Sequence, residues 1–397
     1  MTQNSSSPSP AAALPAADPI RPVAASTAHA GAAASPAPPP VDGQTSAATP
    51  AAAPEDDARL AALRAWLHGV ATPETGQPDL GLDVTALVPA SSDAGFRRYF
   101  RLPAHAGSLI AMDAPPPEKS REFVQIQALL DAAGVHVPRI LAADVEHGFM
   151  LLSDLGTTSY LDALTGASET DARALMRDAL DALIRWQSAS RAQVLPEYDE
   201  PLLRRELELL PEWYLGRHLG RTVDATERAT LDGVFRTLID SALAQPRLFV
   251  HRDFMPRNLM VAAPAPAVLD FQDAVMGPAT YDVASLFRDA FISWDEGFEL
   301  DCIAWYWGRA KAAGLPVRAD FSEYYRELEW MGLQRHLKII GLFARLAYRD
   351  GKPRYLADTP RFIAYARKVA GRYRELTPLA RLLDRIENRA ETVGYTF

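Results

Sequence analysis

The chain has 397 residues and a formal net charge of −9, so it is long enough to bury one large hydrophobic core or two moderate ones. The acidic balance argues against broad binding to nucleic acids or to anionic membranes, because both partners require a basic face. The single cysteine, Cys302, excludes an internal disulfide and suits a reducing cytoplasm. We therefore expect a cytoplasmic protein that acts on a small molecule.

The first 54 residues differ in composition from the rest of the chain. Residues 1–54 consist almost entirely of Ala, Pro, Ser and Thr, with too few large apolar side chains to offset the entropy of ordering. We predict that this tail is disordered. A secretory signal is not expected, because prolines interrupt each candidate apolar run and no basic region precedes one. Nowhere does an apolar run approach the roughly 20 residues that a membrane-spanning helix needs, so no membrane contact is predicted.

Residues 55–155 are predicted to form a β-rich first lobe that binds a nucleotide. After an initial helix, the pattern predicts a strand, a turn of small residues and an arginine-rich strand. Small residues let backbone N–H groups approach phosphates closely, so Ser92 and Gly95 in the turn are candidate nucleotide-binding residues, with an ordinary hairpin as the alternative. Arg97 and Arg98 of the next strand are candidates for neutralising phosphate charge, and solvated strand arginines are the alternative reading.

A buried strand ending at 153 leads from this lobe into a linker. In a two-lobed nucleotide site such a linker supplies backbone groups to the base, so Leu152 and Asp154 are candidate nucleotide-binding residues by position. The remaining chain, 156–397, is predicted to be a mainly helical second lobe that carries the catalytic loop and the substrate site. The longer predicted helices of this lobe include 202–219, 300–314, 320–350 and 360–388.

The strongest functional signal begins at His251 and ends at Asp270. It has the form H-R-D-x-x-x-x-N followed by a short apolar strand and an aspartate, which is the pattern of a phosphoryl-transfer site. Asp253 can accept a hydroxyl proton, and Asn258 and Asp270 offer hard oxygen ligands to Mg²⁺. The alternative is a core histidine with unrelated loop aspartates. It would require several constraints on residue type and spacing to be met by coincidence. We predict a catalytic role for Asp253 with Arg252, and a supporting role for His251.

Three further acids are candidate supporting residues. Asp282 is the only acid in the turn 277–282, where it can accept N–H bonds from the catalytic loop; capping of the following helix is the alternative. Asp273 closes the second motif, L-D-F-Q-D. Glu122 lies at the start of the helix that follows the third predicted strand.

Five motifs carry a resemblance to a known family. They are GFRRYFR at 95–101, AMDAPP at 111–116, LLSDLG at 151–156, HRDFMPRNL at 251–259 and LDFQDA at 269–274. Over residues 58–395 the chain resembles the aminoglycoside phosphotransferase and choline kinase branch of the kinase-like fold. It is more closely similar to the anomeric sugar kinases that phosphorylate N-acetylmuramate and N-acetylglucosamine in bacterial cell-wall recycling.

The resemblance implies an α+β, two-lobed fold, with a small antiparallel sheet in the first lobe and a larger, mainly helical second lobe. It also implies an enzyme that transfers a phosphoryl group from ATP, with Mg²⁺, to an alcohol group, here the C1 hydroxyl of an amino sugar. Asp253 would then orient or deprotonate that hydroxyl, and Asn258 and Asp270 would bind Mg²⁺.

The chain departs from the general kinase pattern at two positions. The third predicted strand, 108–113, lacks the lysine that a protein kinase uses to hold the nucleotide phosphates. Lys119 lies too close to Glu122 in sequence to replace it in a strand-to-helix ion pair. The positive charge is therefore expected from the strand of Arg97, Arg98 and Arg101, with the choice among them left open. Gln272 replaces the glycine of D-F-G, which argues against a regulated flip of that segment.

On the resemblance, the acceptor binds in the helical lobe near the catalytic loop. The candidate contacts are the polar or aromatic residues Arg204, Glu208, Trp213, Tyr214 and Asp289. Helix packing or a surface role is the alternative for each of them.

Two other functions remain open from the residues alone. The acceptor is either an amino sugar or another small alcohol: an aminoglycoside, choline, ethanolamine or homoserine. The absent lysine suggests a nucleotide-binding pseudokinase scaffold as the second alternative, although retention of Asp253, Asn258 and Asp270 together argues against it. The preferred sugar, the oligomeric state and the purpose of the tail are not predicted.

Overall fold

The computed structural model describes residues 58–71, 79–92, 96–116 and 118–387. The tail at 1–54, for which disorder is predicted, and Gly95 of the predicted turn lie outside these residues. Ser92 is described only in its backbone.

A small antiparallel sheet forms the first lobe. Its strands are β1 (Val88–Ser92), β2 (Arg98–Ala104), β3 (Gly107–Asp113), β4 (Ile140–Asp144) and β5 (Phe149–Ser153). They lie in the order β1-β2-β3-β5-β4, and each pair of neighbours is antiparallel. Because side chains alternate between the faces of a strand, Phe100 and Leu102 of β2 pack on one face while Tyr99 and Arg101 line a cleft on the other.

Two helices cover the sheet. Helix α1 (Ala58–Ala71) buries Leu60, Leu63 and Leu67 against the face of Phe100 and Leu102. Helix α2 (Ser120–Ala132) packs on the other side, in a core that continues into the second lobe. In this core the rings of Phe123 and Phe271 lie 4.7 Å apart between centroids. The sheet lobe and the segment after the catalytic loop therefore share one hydrophobic core.

The described chain after the sheet is mainly helical. Its helices are α3 (Tyr160–Leu164), α4 (Glu169–Ser188), α5 (Glu200–Leu207), a π-helical segment (Leu210–His218), α6 (Ala225–Leu243), α7 (Tyr281–Phe287), α8 (Glu296–Ala312), α9 (Phe321–Tyr348), α10 (Thr359–Arg372) and α11 (Thr377–Ile386). Two short ribbons hold the catalytic segment: β6 (Arg247–Val250) pairs with β9 (Val275–Pro278), and β7 (Leu259–Met260) pairs with β8 (Ala267–Val268). The prediction of a two-lobed α+β fold is confirmed.

Two predicted helices are each divided in the structure. The predicted helix at 202–219 consists of α5 and the π-helical segment, which has Pro211 in its first turn. The predicted helix at 360–388 consists of α10 and α11, with Pro378 in the first turn of α11. Pro211 removes the backbone N–H that would continue α5, whereas α10 ends where Tyr373 adopts an extended backbone conformation, with φ of −113° and ψ of 128°. Within the described residues, no helix is both long and apolar enough to span a membrane.

Candidate active site

Asp282 braces the backbone of the catalytic loop. Its Oδ2 accepts the N–H of His251 at 2.7 Å, and its Oδ1 accepts the N–H of Arg252 at 3.0 Å. Arg252 adopts a left-handed backbone conformation, with φ of 77°. A non-glycine residue holds this conformation only where its surroundings impose it, and the two N–H bonds do so here. The contact predicted for Asp282 is present, and this carboxylate binds the loop rather than the end of helix α7.

The side chain of Asn258 connects the catalytic and the metal-binding candidates. Its Nδ2 donates to the backbone oxygen of Asp253 at 2.9 Å and approaches Oδ2 of Asp270 at 3.4 Å. Gln272, in the place of the D-F-G glycine, donates from Nε2 to Oδ1 of Asp270 at 2.8 Å. Asp270 also has a positive φ, 61°. The three residues predicted to form the catalytic set are thus brought together.

His251 supports the loop as a neutral, buried side chain. It is 1% exposed, and burial lowers its pKa to about 4. The ring is therefore uncharged at neutral pH, and its Nδ1 accepts the N–H of Asp253 at 3.3 Å. His251 thus orients the backbone of Asp253.

Glu206 joins two cations behind the catalytic loop. Its Oε1 lies 2.6 Å from Nη2 of Arg252 and 2.8 Å from Nζ of Lys338, and Tyr198 donates its hydroxyl to Oε2. Burial raises the pKa of Glu206, but the charges of Lys338 and Arg252 outweigh burial and lower the pKa to about 2. Arg252, predicted as a catalytic residue, is thus neutralised by Glu206, for which the sequence predicts no contact with the catalytic loop.

A cleft of about 320 Å³ lies between the sheet and the catalytic segment. The predicted residues Leu152 and Asp154 line it, as do Asn258 and Asp270. Asp154 accepts a hydrogen bond from Nε of Arg101 at 2.5 Å. Apolar walls come from Tyr99, Ile110, Phe123, Met260 and Leu269. An apolar slot with a linker backbone at one end and carboxylate and amide oxygens at the other suits a nucleotide.

Arg97, which directly precedes β2, and the arginines of β2 have different surroundings. Arg98 points to the face of helix α1, where it and Arg59 both pair with the buried carboxylate of Asp113. Arg97 is buried, and its Nη2 lies 3.0 Å from Oε2 of Glu118. Arg101 is therefore the arginine of this strand that lines the cleft.

The supporting candidates Glu122 and Asp273 lie apart from each other. Glu122 lies on the first turn of α2. It is exposed, whereas Ser120 and Phe123 beside it are buried. Asp273 forms an ion pair with Lys119 at 2.5 Å, which joins the two lobes. Burial raises the pKa of Asp273, but its hydrogen bond with Lys119 and the charges around it lower the pKa below its usual value.

A second cavity, of about 450 Å³, opens on the other side of the catalytic loop. Asp253 lines it together with Arg252, Asp273 and Asp289. The other charged residues of its wall are Arg205, Glu206, Arg257, Arg335, Lys338 and Arg345. Arg257 lines both cavities, so the two spaces meet at the catalytic loop.

Of the five predicted substrate contacts, the structure brings Asp289 to this cavity and places the other four elsewhere. Glu208 forms ion pairs with Arg228 at the surface, with a shortest distance of 2.6 Å. Arg204 lies 3.7 Å from Glu200 on the same helix. Trp213 and Tyr214 pack into a helical core. The physical reason is helix geometry, because these residues face away from the loop while Glu206 faces it.

The basic wall of the cavity carries a signal that sequence reasoning missed. Arg335 and Lys338 lie three residues apart on α9, so they share one helix face, and this face belongs to a helix that is otherwise largely buried. Charges on the buried side of an amphipathic helix suggest a site, because lysine and arginine are seldom buried without a partner.

The chain is similar to known kinases along most of its length. A model of the phosphotransferase enzyme family matches residues 86–315. An N-acetylmuramate/N-acetylglucosamine kinase of Pseudomonas putida is 51% identical over 336 residues, covering 84% of this chain and 98% of the relative. A protein of the same name from Neisseria meningitidis serogroup B is 47% identical, covering 84% of this chain and 98% of the relative.

Solved structures of the same fold are more distant. A choline/ethanolamine kinase family protein from Mesorhizobium loti has a TM-score of 0.55 and 15% identity, covering 82% of this chain and 99% of that one. An ADP-bound aminoglycoside phosphotransferase has a TM-score of 0.51 and 12% identity, covering 77% of this chain and 97% of that one. At such identities the likeness concerns the fold.

Proposed function

The chain belongs to the phosphotransferase enzyme family, and from this premise we propose that it transfers the γ-phosphoryl group of ATP to the C1 hydroxyl of N-acetylmuramate and N-acetylglucosamine. The observation that carries the proposal is the meeting of two cavities at Arg257, one suited to a nucleotide and the other, which Asp253 lines, suited to a small polar acceptor. The names of the relatives support the sugar as acceptor. The reaction belongs to the recycling of cell-wall sugars in the cytoplasm.

Asn258 and Asp270 fit Mg²⁺. The amide nitrogen of Asn258 is engaged with Asp253 and Asp270, which leaves its oxygen for a ligand, and Asp270 presents a carboxylate to the same cleft. Mg²⁺ in kinases usually takes one or two protein ligands and completes its shell with phosphates and water, so this pair suffices. Bound there, Mg²⁺ would neutralise charge on the nucleotide phosphates.

Asp253 acts on the acceptor. Its carboxylate orients the C1 hydroxyl and accepts its proton as the hydroxyl oxygen bonds to the γ-phosphorus and the bond from that phosphorus to the ADP oxygen breaks. An anomeric hydroxyl is more acidic than an ordinary alcohol, so positioning is the main task of Asp253. The products are a sugar 1-phosphate and ADP.

Arg257 supplies positive charge where the phosphoryl group passes. Its position on the walls of both cavities supports this assignment. Arg101 binds Asp154 beside the linker, at the end of the cleft suited to the base, and Arg97 and Arg98 pair with carboxylates. A guanidinium where the two cavities meet stabilises the negative charge that develops in the transition state. In a protein kinase, the strand lysine contributes part of this stabilisation.

A substrate panel tests the proposal. The protein is incubated with ATP and Mg²⁺ plus N-acetylmuramate, N-acetylglucosamine, kanamycin, choline or homoserine, and ADP release and sugar 1-phosphate are followed. ATP consumption that rises with the two amino sugars, with phosphate on C1, is the expected result. A larger rise with kanamycin, choline or homoserine would overturn the proposal, as would phosphate at another hydroxyl.

A further inference from the structure

Arg335 is a buried cation in the wall of the larger cavity. It lies on α9 and retains only 4% of its exposure, with its guanidinium carbon 5.4 Å from the centroid of the Tyr281 ring. Its Nε is fully enclosed, and in the described part of the chain no side chain or backbone group forms a hydrogen bond with it. Nor does any described carboxylate lie within ion-pair distance of Arg335. Such a charge costs free energy unless something else neutralises it.

Four of the other cations of the cavity are in different situations, and the fifth, Arg345, is partly exposed although its Nε is also enclosed without a hydrogen-bond partner among the described residues. Arg252 and Lys338 share the carboxylate of Glu206. Arg205 is exposed to solvent, and Arg257 is half-buried. Water can therefore solvate Arg205 and partly solvate Arg257, whereas Arg335 is both desolvated and without a hydrogen-bond acceptor among the described residues.

Of the two carboxylates near Arg335, Asp282 is engaged through both oxygens and Asp289 through Oδ1 only, because its Oδ2 is enclosed without a hydrogen-bond partner among the described residues. Asp282 holds the N–H groups of the catalytic loop. Asp289 accepts the N–H groups of Phe291 and Ile292, each at 2.9 Å, through Oδ1. Burial raises the pKa of Asp289 to about 6, with those N–H bonds and the charge of Arg335 opposing it. Asp289 thus feels the charge of Arg335 without contacting it, and the guanidinium remains available to an anion that enters the cavity.

The two sugar substrates of the proposed function differ by one negatively charged substituent. N-acetylmuramate is N-acetylglucosamine with a lactyl ether on C3, and the lactyl group ends in a carboxylate. Both Asp253 and Arg335 line one cavity of about 450 Å³, a volume in the range of small-molecule sites. One sugar ring can therefore present its C1 hydroxyl to Asp253 and a substituent from another ring carbon to a different wall.

We propose that Arg335 binds the lactyl carboxylate of N-acetylmuramate and thereby makes the enzyme prefer this sugar to N-acetylglucosamine. The inference rests on the proposed function and adds the residue that distinguishes its two substrates. A guanidinium can bind a carboxylate through two parallel hydrogen bonds, and in a buried site such bonds are strong. With N-acetylglucosamine the guanidinium keeps its unpaired state, so the uncharged sugar gains nothing from Arg335.

Replacement of Arg335 tests the proposal through the ratio of two specificity constants. We measure kcat/KM for N-acetylmuramate and for N-acetylglucosamine with the wild type, Arg335→Met and Arg335→Lys. A charge-assisted hydrogen bond corresponds to about a 10- to 100-fold effect, so the ratio should fall by about that factor in Arg335→Met and by less in Arg335→Lys. Arg326→Met, an exposed arginine of the same helix, is the matched control and should leave the ratio unchanged.

A change in the substrate makes the test independent of folding. The primary amide of N-acetylmuramate keeps the size of the lactyl group and removes its charge. The wild type should use the amide about 10- to 100-fold less well than the acid, and Arg335→Met should hardly distinguish them. An equal loss on both sugars in Arg335→Met, or equal use of acid and amide by the wild type, would overturn the inference. If the wild type phosphorylates neither sugar, the proposed function itself fails.

Discussion

Asp282 accepts the backbone N–H of His251 at 2.7 Å across 31 residues of sequence. This bond crosses from the start of helix α7 to the loop that carries Asp253. The backbone next to Asp253, the proposed reacting carboxylate, is therefore held by a residue that need not touch a substrate.

Asp282→Asn should alter the pH dependence of stability. Burial raises the pKa of Asp282 to about 7, above the ordinary value of 3.8, so the folded state binds an additional proton between these pH values. The contribution of this group to the free energy of unfolding therefore falls as pH rises from about 4 to about 7. Urea unfolding measures the free energy of unfolding across this pH range. The decline should be present in the wild type and absent in Asp282→Asn. An identical slope in both proteins would contradict the assignment.

Asp253→Asn should lower kcat by about 10²- to 10⁴-fold, because the amide cannot accept the hydroxyl proton. Affinity for the nucleotide should change little, since Asp253 lines the acceptor cavity and not the nucleotide cleft. Steady-state formation of sugar 1-phosphate and nucleotide titration measure the two effects separately. Turnover near that of the wild type would remove Asp253 from the mechanism.

Asp270→Ala should abolish Mg²⁺-dependent turnover. The proposed metal ligands are Asp270 and Asn258, so the variant loses its only proposed carboxylate ligand to the metal. Activity as a function of Mg²⁺ concentration, together with sugar binding by calorimetry, provides the measurement. A loss confined to sugar affinity would be incompatible with a metal-binding role.

Arg257→Met should lower kcat by about 10²- to 10³-fold, the effect of removing one group that stabilises developing charge. The affinities for nucleotide and sugar should change much less, because the charge matters most in the transition state. Single-turnover rates at saturating substrates isolate the chemical step. A weaker affinity for ATP with an unchanged single-turnover rate would show that Arg257 binds the ground state only.

Glu206→Gln should reduce the free energy of unfolding by about 3–5 kcal/mol, because it leaves the charges of Arg252 and Lys338 buried without their partner. Glu208→Gln is the matched control, since Glu208 pairs with the partly exposed Arg228 and its loss should cost less than about 1 kcal/mol. Chemical denaturation of both variants measures the difference. Equal effects would mean that the Glu206 pairs are as weak as a surface ion pair.

Local sequence patterns predict that the candidate catalytic residues lie close together, because the loop and the strand after it place them within one short segment. Asp253, Asn258 and Asp270 come together as expected. The brace from Asp282 is also predictable, since it is the only acid in the turn after the second ribbon.

The acceptor cavity is far less predictable. Glu206 and Glu208 are two residues apart, so they point about 200° apart around a helix. Both are acids in one amphipathic segment, and only the packing of α5 against α9 decides which of them faces the loop. Arg335 presents the same difficulty, because its proposed function depends on α9 lining the same cavity as a loop that is distant in sequence.

The position of Arg335 on a helix separate from the catalytic loop has a consequence for enzyme engineering. The α9 wall can be redesigned to accept sugars with other substituents while the residues that perform the chemistry stay unchanged. Lys338 is the exception on this wall, because Glu206 binds it together with Arg252. A library of variants aimed at new acceptors should therefore vary Arg335 and keep Lys338.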